Sequence, residues 1–247
     1  MSGADGRVVS PRVRVVRVPG PVDDRLFARL LAAVSTAKRA RLLRYRARPA
    51  AVASVTADLL ARLAASETLG LRHDRIAFAV TPSGKPYLAG QPDYHFNLSH
   101  SGPWVAAAEH PSAVGVDVEA VARRPIPVEA FAQRFLSRVE AADLLALPAQ
   151  ERLVHFLDLW TLKESYVKAL GDGLRVSLSS FTVRKAVDGA ITLLRHNPRL
   201  PSYTFVQYDI DPDCRLSLCA AAGPFALVAD RISFAELCAR SGVPADE

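Results

Sequence analysis

The stretch SAVGVDVEAVARRP, residues 112–125, lies near the middle of the 247-residue chain and separates two runs of elements that follow the same order. Before it, VRVVRV (13–18) alternates as a strand. Residues 23–43 and 49–69 carry helical apolar periodicity, the second opened by Pro49. RIAFAV (75–80), HFNLSH (95–100) and WVAAAEH (104–110) return to strand, with a turn at TPSGKPY (81–87) and a hairpin around Gly102-Pro103. After it, AVGVDVE (113–119) is an apolar strand and residues 127–147 are helical. ERLVHFLDLWTLKESYVKAL (151–170) is a long amphipathic helix ended by Gly171 and Gly173. SFTVRK, AITLLRH, SYTFVQYD and RLSLCAAA then alternate as antiparallel strands. The halves share order without sharing sequence, which predicts two similar α+β lobes, 1–112 and 113–247, with a site between them.

The bulk composition narrows the function classes. No apolar run reaches the length of a membrane helix, and MSGADGRVVSPRVRVV lacks the apolar middle of a signal peptide, so a cytoplasmic protein that does not engage a membrane is expected. Cys214, Cys219 and Cys238 lack CxxC spacing, which argues against a zinc site or a disulfide framework. A formal charge of +6 favours anionic partners without choosing among them. Much of it gathers in STAKRARLLRYRAR (35–48), where Lys38 and Arg41 share a helix face. Alone, that segment is equally a solvated basic helix.

Three constellations carry chemistry. In GVDVE (115–119), Asp117 and Glu119 point to one face of a strand and Val116 and Val118 to the other. Such a carboxylate pair suits a hard cation such as Mg²⁺, or belongs to an edge strand whose acidic face meets water. In WTLKESYVKALGDG (160–173), Glu164 and Lys168 share a helix face with Trp160. That spacing also serves any exposed helix, but the large rings and the glycine stop favour a cleft. There Glu164 would add a third carboxylate and Lys168 would reach a phosphate oxygen. In FNLSHSG (96–102), the serine lacks a nucleophile elbow and His100 lacks a second ligand at metal spacing. Ser99 and His100 remain as donors to an anion, or as ordinary strand residues. Lys85, between Gly84 and Pro86, is a further cation on a rigid turn.

Taken together, GKP (84–86), FNLSHSG (96–102), GVDVE (115–119), FLS followed by Glu140 (135–140) and WTLKESYVKALGDGL (160–174) resemble the Sfp-type 4′-phosphopantetheinyl transferases, from about Ser35 to Ala221. The resemblance implies an α+β pseudo-dimer of two similar lobes with coenzyme A and Mg²⁺, or Mn²⁺ in its place, bound between them. It implies transfer of the phosphopantetheine arm to a serine of an acyl or peptidyl carrier protein, with release of adenosine 3′,5′-bisphosphate. Carried over by motif, Asp117, Glu119 and Glu164 hold the metal, Lys168 contacts the pyrophosphate, and Glu164 is the candidate base. Lys85, Ser99 and His100 bind the nucleotide and its phosphates, while Lys38, Arg41 and Ser54 lie at the 3′-phosphate. The family often carries an Arg where this chain has Ala53, with Arg46 or Arg48 as candidates to replace its charge. In ARRPIPVEAFAQRFLS (122–137), Ile126, Val128 and Phe131 alternate with Arg123, Arg124 and Arg134, which suits an acidic carrier helix. A monomer is expected, since one chain holds both lobes. Two rivals are a Mg²⁺-dependent phosphodiesterase or nuclease and a basic binding module for nucleic acid or acidic proteins. The transferase reading expects no nucleic-acid partner.

Overall fold

A computed structural model describes residues 10–121, 126–171, 176–186, 188–195, 202–221, 223–226 and 228–243. Arg123, Arg124 and Gly173 lie outside them. The first half runs β1 (Arg12–Arg17), α1 (Asp24–Ala32), α2 (Thr36–Leu42), α3 (Arg48–Leu69), β2 (Phe78–Val80), β3 (Pro86–Leu88), β4 (His95–Ser101) and β5 (Trp104–His110). The second runs β6 (Val114–Ala120), α4 (Val128–Phe135), α5 (Arg138–Ala146), α6 (Ala149–Leu170), β7 (Phe181–Lys185), β8 (Ile191–Arg195), β9 (Thr204–Tyr208), β10 (Cys214–Ala220), β11 (Asp230–Arg231) and α7 (Phe234–Arg240).

The α+β class and the two-lobe plan agree with the expectation. The larger sheets have the orders β11-β1-β5-β4 and β6-β10-β9, antiparallel except where β11 joins β1 in parallel, and β2-β3 and β7-β8 form two-stranded antiparallel pairs. Strand alternation turns one face of each larger sheet toward the other and the opposite face toward a helix. Val13, Val15, Trp104 and Ala106 of the first sheet meet Val116, Val118, Leu216 and Leu218 of the second in a shared core between the lobes. Val16, Val105 and Ala107 face outward onto α3. Each lobe thus carries a 22-residue helix, α3 or α6, on its own sheet.

Two helices expected as continuous are broken. Residues 23–43 divide into α1 and α2 at Ser35, whose hydroxyl accepts from the Lys38 amide at 3.3 Å. Residues 127–147 divide into α4 and α5 at Ser137, which forms a capping box with Glu140. Both serines satisfy amide donors that the new helix would leave bare. Two elements beyond those expected, β11 and α7, return the chain to the first lobe. Leu237 and Cys238 of α7 pack with α3, and Arg240 pairs with Glu67, which also holds the buried Arg14 at 2.8 Å.

Candidate active site

The site is built on β6 and α6. Val114, Val116 and Val118 enter the core between the sheets, so period two turns Gly115, Asp117 and Glu119 toward α6. Gly115 is glycine because α6 lies directly on it: a Cβ there would overlap the Ser165 carbonyl oxygen and the Ala169 nitrogen. That close approach brings Glu164 and Lys168 over Asp117 and Glu119. The expected metal and pyrophosphate residues are therefore all in one place.

Lys168 Nζ lies 2.5 Å from Asp117 Oδ1, 3.0 Å from Ser99 Oγ and 3.2 Å from the Val116 carbonyl. The Ser99 hydroxyl donates to Asp117 Oδ1 at 2.9 Å and accepts from the Val118 amide at 3.2 Å, so its one proton and both lone pairs are engaged. Asn97 Oδ1 accepts from the Val116 amide at 2.9 Å, and Ser101 donates to Glu119 Oε2 at 2.5 Å. Alternate side chains of β4 thus join the edge of the first sheet to the edge of the second. Asn97 and Ser101 join the expected Ser99 here, and the legible signal is N-x-S-x-S, which on a strand puts three polar groups on one face.

Asp117 Oδ2 is buried with no hydrogen-bond partner among the described residues. Burial raises Asp117 above its ordinary range, against the pull of Lys168 and Ser99. Burial also raises Glu119, with Asp117 and Glu164 adding repulsion, and raises Glu164, with Asp117 adding to it. Three carboxylates around a single ammonium form a cation-seeking site. Their present arrangement is nevertheless not that of a metal cluster: among the described residues, no group of three or more His, Cys, Asp or Glu is placed to hold an ion. The orphaned oxygen of Asp117 and the hard-oxygen donor set both fit Mg²⁺ or Mn²⁺.

Lys38, Arg41, Ser54 and His100 form a basic flank. Lys38 Nζ donates to Ser54 Oγ at 3.1 Å. Burial lowers Lys38, opposed by Asp58 and reinforced by Arg41. Hydrogen bonds with Ser54 and Arg41 hold the Tyr45 hydroxyl below its usual range, which makes Tyr45 a member that the sequence analysis did not assign. His100 still reaches solvent on β4, and partial burial followed by the charges of Lys168 and Lys38 holds it below its ordinary value. Ala53 is buried in the α3 core, and Arg48 lies over the Phe27 ring at 4.1 Å and pairs with Asp24 at 2.8 Å.

Lys85 differs most from its expected surroundings. Its ammonium is directed at backbone carbonyls at the end of α6 and the start of β6. Its loop still walls the site: a cleft of about 670 Å³ runs past Gly84, Lys85 and Phe135. A smaller one of about 380 Å³ runs past Ser99, His100, Asp117 and Glu119. Trp160, Glu164 and Lys168 line both. Trp160 is braced edge-on by Phe135 at 5.3 Å between ring centroids. Two motif residues are structural: Glu140 and Lys163 form a buried ion pair at 2.8 Å, and Lys163 also donates to the Leu178 and Phe181 carbonyls.

The chain matches the family model described as 4′-phosphopantetheinyl transferase superfamily over residues 113–219. It matches the one described as 4′-phosphopantetheinyl transferase, N-terminal, over residues 21–112. It is similar to a Bacillus subtilis 4′-phosphopantetheinyl transferase, 36% identical over 80% of this chain and 86% of the relative. It is also similar to 4′-phosphopantetheinyl transferase Sfp of Bacillus subtilis strain 168, 34% identical over 88% and 95%. Among solved structures, Thermotoga maritima holo-[acyl-carrier-protein] synthase aligns with a TM-score of 0.36 at 26% identity, covering 43% of this chain and 61% of the other.

Proposed function

The chain belongs to the 4′-phosphopantetheinyl transferase family, and we propose that it moves the phosphopantetheine arm of coenzyme A onto a serine hydroxyl of an acyl or peptidyl carrier protein. The observation that carries this reading is the meeting of Asp117, Glu119, Glu164 and Lys168 in a cleft flanked by Lys38 and His100. Acid and base are both present there, as a pyrophosphate substrate with a cation requires.

Asp117, Glu119 and Glu164 would hold Mg²⁺ or Mn²⁺, which when bound neutralises pyrophosphate charge and polarises the reacting phosphorus. Lys168 stabilises the charge that develops as the phosphoanhydride bond breaks. The acceptor serine oxygen bonds to the β-phosphorus, the bond to the bridging oxygen breaks, and adenosine 3′,5′-bisphosphate leaves. Glu164 takes the serine proton; burial, which raises its pKa, brings it closer to the working range of a general base. Lys38, Arg41, Ser54 and His100 receive the 3′-phosphate. Ser99 orients Asp117 and Lys168 within that nucleotide-binding wall, and Lys85 contributes through the loop that bounds it.

The lobes divide at residues 112 and 113, with β11 and α7 returning to the first lobe and the site at their interface. The carrier is acidic and docks beside Phe131 and Arg134, the enzyme works as a cytoplasmic monomer, and neither nucleic acid nor a membrane is a partner. Among the described residues no helix is long and apolar enough to cross a membrane. The decisive experiment is the intact mass of apo carrier proteins after incubation with the protein, coenzyme A and Mg²⁺. A gain of one phosphopantetheine unit that EDTA abolishes is expected, and no gain on carriers from several pathways overturns the reading.

A further inference from the structure

We infer that Lys85 is a positioning residue for the transfer, an ammonium latch that fixes the first lobe onto the two elements bearing the site instead of contacting the substrate's phosphates. The inference rests on the transferase reading above, because only there do α6 and β6 act together on one substrate.

Lys85 Nζ donates to the Lys168 carbonyl at 2.5 Å, the Val114 carbonyl at 3.3 Å and the Ala169 carbonyl at 3.4 Å. An ammonium has three protons, and these acceptors occupy all three. Two of the carbonyls belong to the last turn of α6, where helical acceptors lack partners and the helix carries its negative end. One is the carbonyl of Lys168, whose side chain reaches Asp117. Val114 opens β6, the strand that carries Asp117 and Glu119. A single cation from the first lobe therefore holds both site-bearing elements at their common end.

The loop around Lys85 is shaped for that task. Ser83 Oγ donates to the Gly171 carbonyl at 2.7 Å, taking a further acceptor just past the helix terminus. The Thr81 hydroxyl accepts from the Lys85 amide at 3.1 Å, the Gly84 amide donates to the Thr81 carbonyl at 2.8 Å, and Gly84 turns the chain at φ +85. The Lys85 stem lies beside Gly171, where a Cβ would stand 3.4 Å from Cδ. Both glycines adopt the left-handed conformation that other residues disfavour.

The test uses the full chain with Lys85→Met and Ser83→Ala. It measures kcat and KM for coenzyme A in the carrier-mass assay, and hydrogen exchange of the backbone amides of residues 165–171 without substrate. A latch predicts that Lys85→Met lowers kcat roughly 30-fold, the scale of a small misplacement. KM should stay within about twofold, and exchange at the end of α6 should quicken. Ser83→Ala should move kcat and exchange in the same direction by less. A KM raised about tenfold with kcat and exchange unchanged makes Lys85 a substrate ligand and overturns the inference. If Lys85→Met does not fold, Ser83→Ala decides: lowered kcat at constant KM upholds the latch, and unchanged kcat overturns it. If the wild-type protein modifies no carrier, the function reading fails by itself. The exchange comparison then still separates the two failures: quicker exchange in Lys85→Met shows that Lys85 fastens the end of α6, and unchanged exchange overturns that contact as well.

Discussion

The two 22-residue helices lie on equivalent faces of their sheets, yet each treats an acid and a base four residues apart differently. On α3, every residue from Ala51 to Ala65 is buried, and Arg62 closes on its own neighbour Asp58 at 2.7 Å while donating to the His73 and Ile76 carbonyls. On α6, Lys168 passes over Glu164 and pairs instead with Asp117 on β6. The first pair neutralises itself and completes a scaffold. The second is divided between two elements, leaving Glu164 raised by burial and Asp117 with an oxygen unmet. The same local spacing thus yields a filled core or a reactive cleft, according to whether the base closes on its own helix neighbour or on a carboxylate of the facing strand.

That contrast breaks if the α6 acid proves dispensable. Glu164→Ala should lower kcat by about a thousandfold or more, while circular dichroism and urea unfolding remain those of the parent. Near-normal turnover would make the α6 pair as structural as its counterpart. Conversely, Arg62→Ala leaves Asp58 buried and unpaired, and should cost about 3–5 kcal/mol of stability in urea titration. Turnover per folded molecule should hold within about twofold if the Asp58–Arg62 pair is scaffold only. His100→Ala sharpens the role of the basic flank: KM for coenzyme A should rise about tenfold, worth about 1.4 kcal/mol, and the rise should vanish with 3′-dephospho-coenzyme A. An equal rise with both substrates would remove His100 from the 3′-phosphate.

The smallest expected effect concerns pH in EDTA. Glu164 has a raised folded pKa, so its contribution is full below its ordinary value of about 4 and is lost as pH rises through the raised value. The metal-free protein should therefore lose melting temperature over that window, and Glu164→Gln should flatten the decline by a few degrees. An unchanged slope would mean that Glu164 meets water freely.

Much of this site is legible in single segments. Period two puts Asp117 and Glu119 on one face, and helical spacing aligns Glu164 with Lys168. The choice of partner is hidden, because it depends on a strand about fifty residues upstream. Lys163 and Glu140 show the same limit: their motifs stand out, but only the fold turns them toward each other and away from the cleft. The helix breaks were partly visible, since S-x-x-E at 137–140 is a capping signature, but apolar periodicity continues across both serines and hides the interruption. A two-residue strand such as β11 leaves no periodic trace at all.

The pairing of β1 with β11 joins Arg14 to Asp230, near opposite ends of the chain. For a polypeptide emerging from the ribosome, one edge of the first sheet stays open until nearly the whole second lobe has been made. Arg14 waits as long for the last of its carboxylates. Completion of the first lobe thereby waits on the second, because the strand that closes its edge follows that lobe in the chain.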